Sequence, residues 1–476
     1  MKRKKFFIVF IIILTLMVSY VMNLKTTFAN LTEKKPEPEF DNPGQRILVI
    51  VPHPDDESLG MAGVIQRAVS QNIPVKVVIV TNGDSYKKAA AAYTGHIDTT
   101  PADFYKLGIQ RQNESIAAMA ELGLPKSDVI FLGFADGSTR FLWSDFWDNT
   151  RPRVSGGIQK AYSPYKNAYK PGIAYTGSNL ENCIQEIIKS FNPTDIYYPL
   201  ADDIHPDHWA VSNFVRYAIT AMNLNVRQHM FLVHHPQWPV PWLLEPNKPL
   251  LPPVDMADSN TNWQIFKLTP SEIHKKEIAI KKYRSQIAVM EPFLMGFIRQ
   301  NELFGTKPVL LIKNTETLPD FKQQGLPYML IKIPAGGILN QEIYRSADIT
   351  ELAAFCYKDN ELYVGIQSLA PISKKVTYHL DMRLFYKGSI KRIDIGLVGG
   401  RLYEYKKAKN SMYNIPISNP VSKKNIVWIK INIPNTQNLN YIFMGADSIY
   451  KNRLIDKIPW NMYRLEKKET LQANLG

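Results

Sequence analysis

Two runs, RILVIV at 46–51 and VKVVIVT at 75–81, are apolar at nearly every position rather than at alternate ones. A strand with one wet face alternates, whereas a strand covered on both faces does not. Between the two runs Leu59, Ala62, Ile65 and Val69 recur at helical spacing, so a helix joins two fully covered strands. The order repeats. Residues 101–123 read as a helix with Pro101 near its start and Gly123 at its end, and DVIFLG (128–133) reads as a third strand. A helix around 182–190, a strand at DIYYP (195–199), a helix over 207–221, a strand at 227–235 and one long helix over 271–290 follow. Alternating strands and helices with short connections pack as a Rossmann-like parallel sheet covered on both faces, the α/β class. Such sheets hold ligands beyond the carboxyl ends of their strands.

After Thr306 the helical periods fade, and short strand-like runs separated by Gly, Pro, Asn and Asp take over. That pattern predicts a β-rich, sandwich-like accessory domain over 306–476, following an α/β domain over 46–305. Two stretches interrupt the alternation: 137–178, with Trp143, Trp147, Tyr162, Tyr165, Tyr169 and Tyr175, and 236–263, with Trp238, Trp242 and Trp263. Each reads either as an insertion packed by its aromatics or as a rim on which sugar rings stack.

The chain begins MKRKK, then FFIVFIIILTLMVSYVM, an apolar run of about 17 residues, slightly short of the roughly 20 that span a bilayer. Residues 1–29 therefore read as a signal peptide or a membrane anchor, and the polar, Pro-rich 30–45 as a linker. Either form predicts export, with the body extracellular or at the cell surface. The formal net charge of +14 suits an anionic envelope surface. No zinc-finger or RNA-binding signature accompanies it, so nucleic acid is not expected as a partner. Cys183 and Cys356 are the two cysteines; they read as buried free thiols and exclude a thiolate metal site.

The chemistry sits at two strand exits. PHPDDE places His53, Asp55, Asp56 and Glu57 directly behind the first strand. Like charges this close repel, and a shared cation relieves the repulsion. His53 and Asp56, three residues apart across a turn, can face one ion, while Asp55 between them faces elsewhere as a carboxylate able to accept a proton. ADDIHPDHW places His205 and His208 three apart at a helix start. One of them completes a His, Asp, His triad, and the other stands opposite the water. The plainer readings are that Asp207 caps that helix, and that Asp202 and Asp203 are solvated turn residues. Glu57 either supports the metal shell or caps the next helix. His96, His229, His234, His235 and His274 lack a paired carboxylate motif and read as structural or surface residues. Lys275, Lys276, Lys281 and Lys282 read as a solvated helix face. Ser58 has no histidine base in a nucleophile-elbow pattern, which argues against a serine hydrolase.

PHPDDE followed by Ser-Leu-Gly, together with HPDH, resembles the PIG-L/LmbE-like zinc deacetylases of N-acetylated amino sugars. RQNESIAAMAELG, FLGFADG and KKYRSQ add to the likeness, which runs from about Arg46 to Glu302. The resemblance implies His53, Asp56 and His208 as zinc ligands, Asp55 as general base, and His205 as the acid that stabilises charge and protonates the leaving amine. It implies Arg111 and Asp136 as substrate contacts. Some members carry a tyrosine two residues before the first histidine of HPDH, where this chain has Asp203. Two histidines and a carboxylate also suit Fe(II). The expected function is an exported zinc-dependent deacetylase of an N-acetylglucosamine-type sugar or glycan. The alternative is a catalytically silent carbohydrate- or wall-binding protein on the same fold.

Overall fold

The computed structural model describes residues 38–476 except 149, 257–259, 319–328, 333–340, 407–415, 419 and 467–476. The expected signal or anchor over 1–29 lies outside the described residues. Among the described residues no helix is long and apolar enough to cross a membrane.

The first half alternates as the apolar pattern predicts: β1 (Ile47–Val51), α1 (Asp56–Ser70), β2 (Val75–Thr81), α2 (Lys87–Thr94), α3 (Pro101–Glu121), β3 (Val129–Phe134), α4 (Thr139–Trp143), α5 (Gly177–Phe191), β4 (Asp195–Pro199), α6 (Pro206–Ala221) and β5 (Arg227–Phe231). Then come β6 (Asn262–Lys267), α7 (Pro270–Ile280), α8 (Arg284–Met295) and β7 (Asn301–Thr306). These strands form one sheet in the order β3-β2-β1-β4-β5-β7-β6. β1 pairs in parallel with both β2 and β4, with Ile47 opposite Val75 on one side and Asp195 on the other. All five residues of β1 are buried because helices cover both faces of the sheet. The strand order reverses between β1 and β4. Connections there leave toward opposite faces, opening a crevice beyond the strand tips where a ligand can sit.

The second half holds β8 (Leu310–Thr315), β9 (Met329–Lys332), α9 (Glu342–Ala347), β10 (Ile349–Tyr357), β11 (Glu361–Ser368), β12 (Thr377–Tyr386), β13 (Ser389–Val398), β14 (Arg401–Lys406), β15 (Val421–Lys423), β16 (Ile426–Asn432), β17 (Leu439–Tyr450) and β18 (Arg453–Leu465). They join in the order β14-β13-β12-β17-β18-β8-β10-β11-β16-β15, with β9 on β10. Leu380 and Met382 of β12 share a core with Val364 of β11 and Ile429 of β16, strands far apart in that order. The sheet is therefore folded on itself around one apolar layer, as a sandwich requires.

The two halves share packing. Phe385, Phe443, Trp460 and Met462, from the outer face of β12, β17 and β18, belong to the same core as β1 and β4. Trp143 meets Trp460 edge to face at 5.1 Å. Arg216 of α6 donates to Trp460 O at 2.6 Å, and Arg383 of β12 donates to Trp143 O at 3.2 Å.

Three expectations need correction, and one open alternative is decided. The linker ends before Phe40, whose ring packs on His229, Phe266 and Phe304 at 5.3–5.7 Å and whose N–H donates to Ile265 O. The single helix over 271–290 breaks at 281–283, because Tyr283 leaves helical geometry to bury its hydroxyl at the site described below. Lys276 is not on a solvated face: it is fully buried and bonds Glu302 and Leu59 O, each at 2.8 Å. The 137–178 insertion is largely packed, with Trp143, Tyr165 and Tyr175 buried, although Tyr162 stays exposed. Both cysteines are buried and free.

Glu181 on α5 is a point of stored cost. It is 3% exposed, its Oε2 lacks a partner, and burial pushes its carboxyl up to about 8 against the Gln185 hydrogen bond. Below its ordinary value of 4.5 the group is protonated whether the chain is folded or not. Above that value the unfolded chain ionises while the folded one keeps the proton, so stability falls as pH rises toward 8. Glu181→Gln is expected to raise the melting temperature by a few degrees at pH 7.5 and to leave it nearly unchanged at pH 4. Thermal melts at the two pH values check this.

Candidate metal centre

β1 ends at Val51 and α1 begins at Asp56, so only four residues turn the chain. The turn is tight enough to force Asp55 to φ 129°, a region that non-glycine residues avoid. Such a conformation persists only when its surroundings over-determine it. Here Asp55 N donates to Glu57 Oε2 at 3.0 Å, and His53 N donates to Asp56 Oδ2 at 3.0 Å. Arg111 of α3 donates to Pro54 O at 2.6 Å, to Asp55 Oδ2 at 3.0 Å and to Gly83 O at 3.1 Å. Gly83 must lack a side chain, since a Cβ there would lie 1.9 Å from the Arg111 guanidinium. Glu57 is fully buried and accepts from Tyr283 Oη at 2.7 Å and from the Ser115 hydroxyl. It therefore supports the turn rather than capping a helix in water.

The second exit follows β4. Asp203 is fully buried, not solvated: Oδ1 accepts from His205 N at 2.9 Å, and Oδ2 accepts from Val233 N and His234 N at 3.0–3.1 Å. Asp203 Oδ2 also lies 3.0 Å from His208 Nδ1, which turns Nε2 toward Asp56. The cap of α6 is His205, whose Nδ1 accepts from Asp207 N at 3.3 Å. In the neutral ring the proton is then on Nε2. Asp207 instead reaches the β3 exit, accepting from Gly137 N, Thr139 N and Thr139 Oγ1 at 2.5–3.1 Å.

Across the crevice Asp56 Oδ2 lies 3.3 Å from His53 Nδ1 and 3.2 Å from His208 Nε2. Ligand atoms about 2.0–2.1 Å from a tetrahedral zinc stand roughly 3.3 Å apart, so Asp56 stands at ligand spacing from each of the two imidazoles. His208 Nε2 is buried and makes no well-formed hydrogen bond, its one carboxylate neighbour being Asp56 Oδ2 at 3.2 Å, an arrangement that a cation between the two would satisfy. Three overlapping groups have ligand atoms within 4.8 Å of one another: His53 with His205 and His208, Asp56 with His208 and His234, and His53 with Asp136 and Asp207. The expected set His53, Asp56 and His208 is not itself one of these groups; its members are linked through Asp56 and are shared among the three groups. His53 is the pivot, with Nε2 3.2 Å from Asp136 and 3.3 Å from Asp207.

Neighbouring groups of one type are driven in opposite directions. Burial and the adjacent Asp56 raise the Asp55 carboxyl to about 7, with Arg111 opposing. Burial would raise Asp56 too, but His208 and His53 overcome it and hold the carboxyl well below its usual range. Burial would lower His208; Asp203 and Asp56 overcome this and lift it to about 9. His205 falls to about 4 through burial and the facing His53 and His208, so this ring is neutral rather than a standing imidazolium.

Seven residues expected from the sequence thus fall at one end of the sheet. Arg111 departs from its expected substrate contact: it is 4% exposed, with both terminal nitrogens engaged, and braces Asp55. Asp136 is in the cluster, with Oδ2 accepting from Ser85 N at 2.8 Å. His234, read as structural, stacks on Phe293 and lies 4.7 Å from the His208 ring. Its only sequence signal was its place at a strand exit. His96, His229 and His235 pair with Asp103, Asp195 and Asp255 instead.

Residues 48–219 match the family described as PIG-L, GlcNAc-PI de-N-acetylase. The chain is 26% identical over 173 residues to the probable N-acetyl-alpha-D-glucosaminyl L-malate deacetylase 2 of Bacillus subtilis (strain 168), covering 36% of this chain and 59% of that one. It is 35% identical over 89 residues to the 1D-myo-inositol 2-acetamido-2-deoxy-alpha-D-glucopyranoside deacetylase of Nocardioides sp., covering 19% of this chain and 28% of that one. A solved N,N'-diacetylchitobiose deacetylase from Pyrococcus horikoshii aligns at 20% identity and a TM-score of 0.33, covering 55% of this chain and 82% of that one.

Because Asp203 contacts His208, Asp203→Asn is expected to weaken divalent-metal binding by about 10- to 100-fold. Competition with a chromophoric chelator measures it.

Proposed function

We propose, for a chain whose residues 48–219 form a PIG-L family domain, that the protein is a metal-dependent amidohydrolase removing the N-acetyl group of an N-acetylglucosamine-type sugar or glycan as acetate. One observation carries the reading: Asp56 stands between His53 and His208 at ligand spacing while Asp55, next in sequence, is held off that point by Arg111. The names of the curated relatives support the N-acetyl sugar as substrate class.

His53, Asp56 and His208 would hold the ion, zinc by preference, with Fe(II) also suited to the donor set. Bound there, it supplies Lewis acidity and acidifies water. Asp55 accepts the proton of the attacking water, and its carboxyl at about 7 matches a base working near neutrality. Arg111 and the Glu57 network fix its position, so no reorganisation is needed as charge moves. His205 offers Nε2–H to the amide oxygen as negative charge grows, and the proton that Asp55 took from the water is the one delivered to the departing nitrogen, so that acetate and the free amine leave together. His205 Nδ1, tied to the α6 terminus, fixes which nitrogen faces the reaction. Asp136, 8% exposed beside His53, is placed to accept from a sugar hydroxyl.

The basic, apolar start of the chain supports export, with the protein extracellular or held at the cell surface by residues 1–29, and the net charge of +14 suits an anionic envelope surface around a glycan substrate.

Acetate release from N-acetylglucosamine oligomers is expected to stop on chelation and return with zinc. Asp55→Ala should keep zinc while losing about 10²- to 10⁴-fold in turnover, and His208→Ala should lose the metal. Metal content and acetate assays on both variants check the division; equal zinc loss in both would refute it.

A further inference from the structure

The loop carrying His205 and His208 is held from outside its own domain. Lys457 of β18 donates from Nζ to Asp203 O at 2.8 Å and lies 5.3 Å from the centre of the Trp209 ring. Asp203 is the residue whose carboxylate contacts His208 Nδ1 and the His205 amide. Trp209 directly follows His208 in α6. Lys307, on the chain leading into the second half, pairs with Asp202 at 2.8 Å and is 2% exposed at its side chain. Deeper along α6, Arg216 donates to Trp460 O. The register of β18 slips at this point: between Met444 and Ala446 of β17, Pro459 and Trp460 both stand against Gly445. A bulge of this kind re-aims the side chains around it. A Cβ on Gly445 would lie 2.4 Å from the Trp460 ring, so the glycine lets that ring lie flat on the sheet.

A half-buried lysine hydrogen-bonded to a backbone carbonyl, with no ion pair of its own among the described residues, costs solvation that a surface position would spare. Burial indeed pushes its ammonium down to about 8, against Asp203 and Asp202. A wall-attachment module would gain nothing from that arrangement.

We propose that Lys457 is a positioning residue for the metal centre, fixing the Asp203 loop so that His208 meets the ion, and that the β-rich half is therefore part of the catalytic unit. This rests on the reading of His208 as a metal ligand. The test uses the full chain with Lys457→Met and Lys457→Arg, measuring zinc affinity by chelator competition, kcat and KM for acetate release, and melting of the metal-free protein. Lys457→Met should bind zinc about tenfold more weakly and lose kcat with little change in KM, while Lys457→Arg, which keeps a charged donor, recovers most of both. A purely structural role would lower the metal-free melting temperature and leave zinc affinity alone; that result overturns the proposal. Should the methionine variant not fold, Lys457→Gln takes its place, and wild-type zinc affinity there overturns it equally. The zinc titration needs no substrate: an inactive protein showing the tenfold loss still supports this role, and an active one showing no loss refutes it.

Discussion

Asp55, Asp56, Glu57, Asp136, Asp203 and Asp207 are all buried at one end of a single sheet. Carboxylates brought that close in a low-dielectric setting repel one another, and burying each costs solvation as well. The fold tolerates them because each is matched. Arg111 faces Asp55, two hydroxyls face Glu57, His53 lies between Asp56, Asp136 and Asp207, and backbone amides fill Asp203. The matching fixes where β1, β3, β4 and β5 end relative to one another. A centre that needs so many partners cannot drift without exposing an unpaired charge.

The strand order supplies the space. Only where β1 and β4 lie side by side do two connections leave in opposite directions, and His53 and His208 emerge on either side of that opening. Arg111 of α3 and Tyr283, at the break before α8, reach in, so residues distant in sequence converge on the Asp55 turn. The sandwich shares the aromatic core around Trp143 and bonds the loop before α6 at Asp203 and α6 itself at Arg216.

Much of this was legible in the sequence because its signal is local. Runs such as VKVVIVT announce a covered strand whatever lies elsewhere, and His53, Asp55 and Asp56 declare themselves within four positions. Asp203 and Asp207 were not legible, because a carboxylate in a polar turn looks the same whether it faces water or a buried imidazole. His234 was opaque for a related reason: its neighbours in the cluster are set by the pairing of β5 with β4, not by adjacent residues. Lys276 followed the solvated pattern of its helix until Glu302, 26 positions on, took it inside. Long-range pairing decides burial, and a period cannot report it.

The same pairing explains how one crevice can hold an acid and a base of like chemical type. Asp55 and Asp56 are neighbours, yet one is raised toward neutrality and the other pressed down. His205 and His208 lie one helical turn apart, yet one is lowered and the other raised. In each pair the difference lies in company: Asp56 has two imidazoles, whereas Asp55 has one guanidinium and two adjacent carboxylates. His208 has Asp203 and Asp56, whereas His205 faces other histidines. Environments that push paired groups apart are what acid–base division requires. Here the company is fixed by the turn after β1, which sets Asp56 against two imidazoles and leaves Asp55, at φ 129°, against Arg111. Residues adjacent in sequence therefore differ because burial acts on both while only one of them has imidazoles enough to offset it.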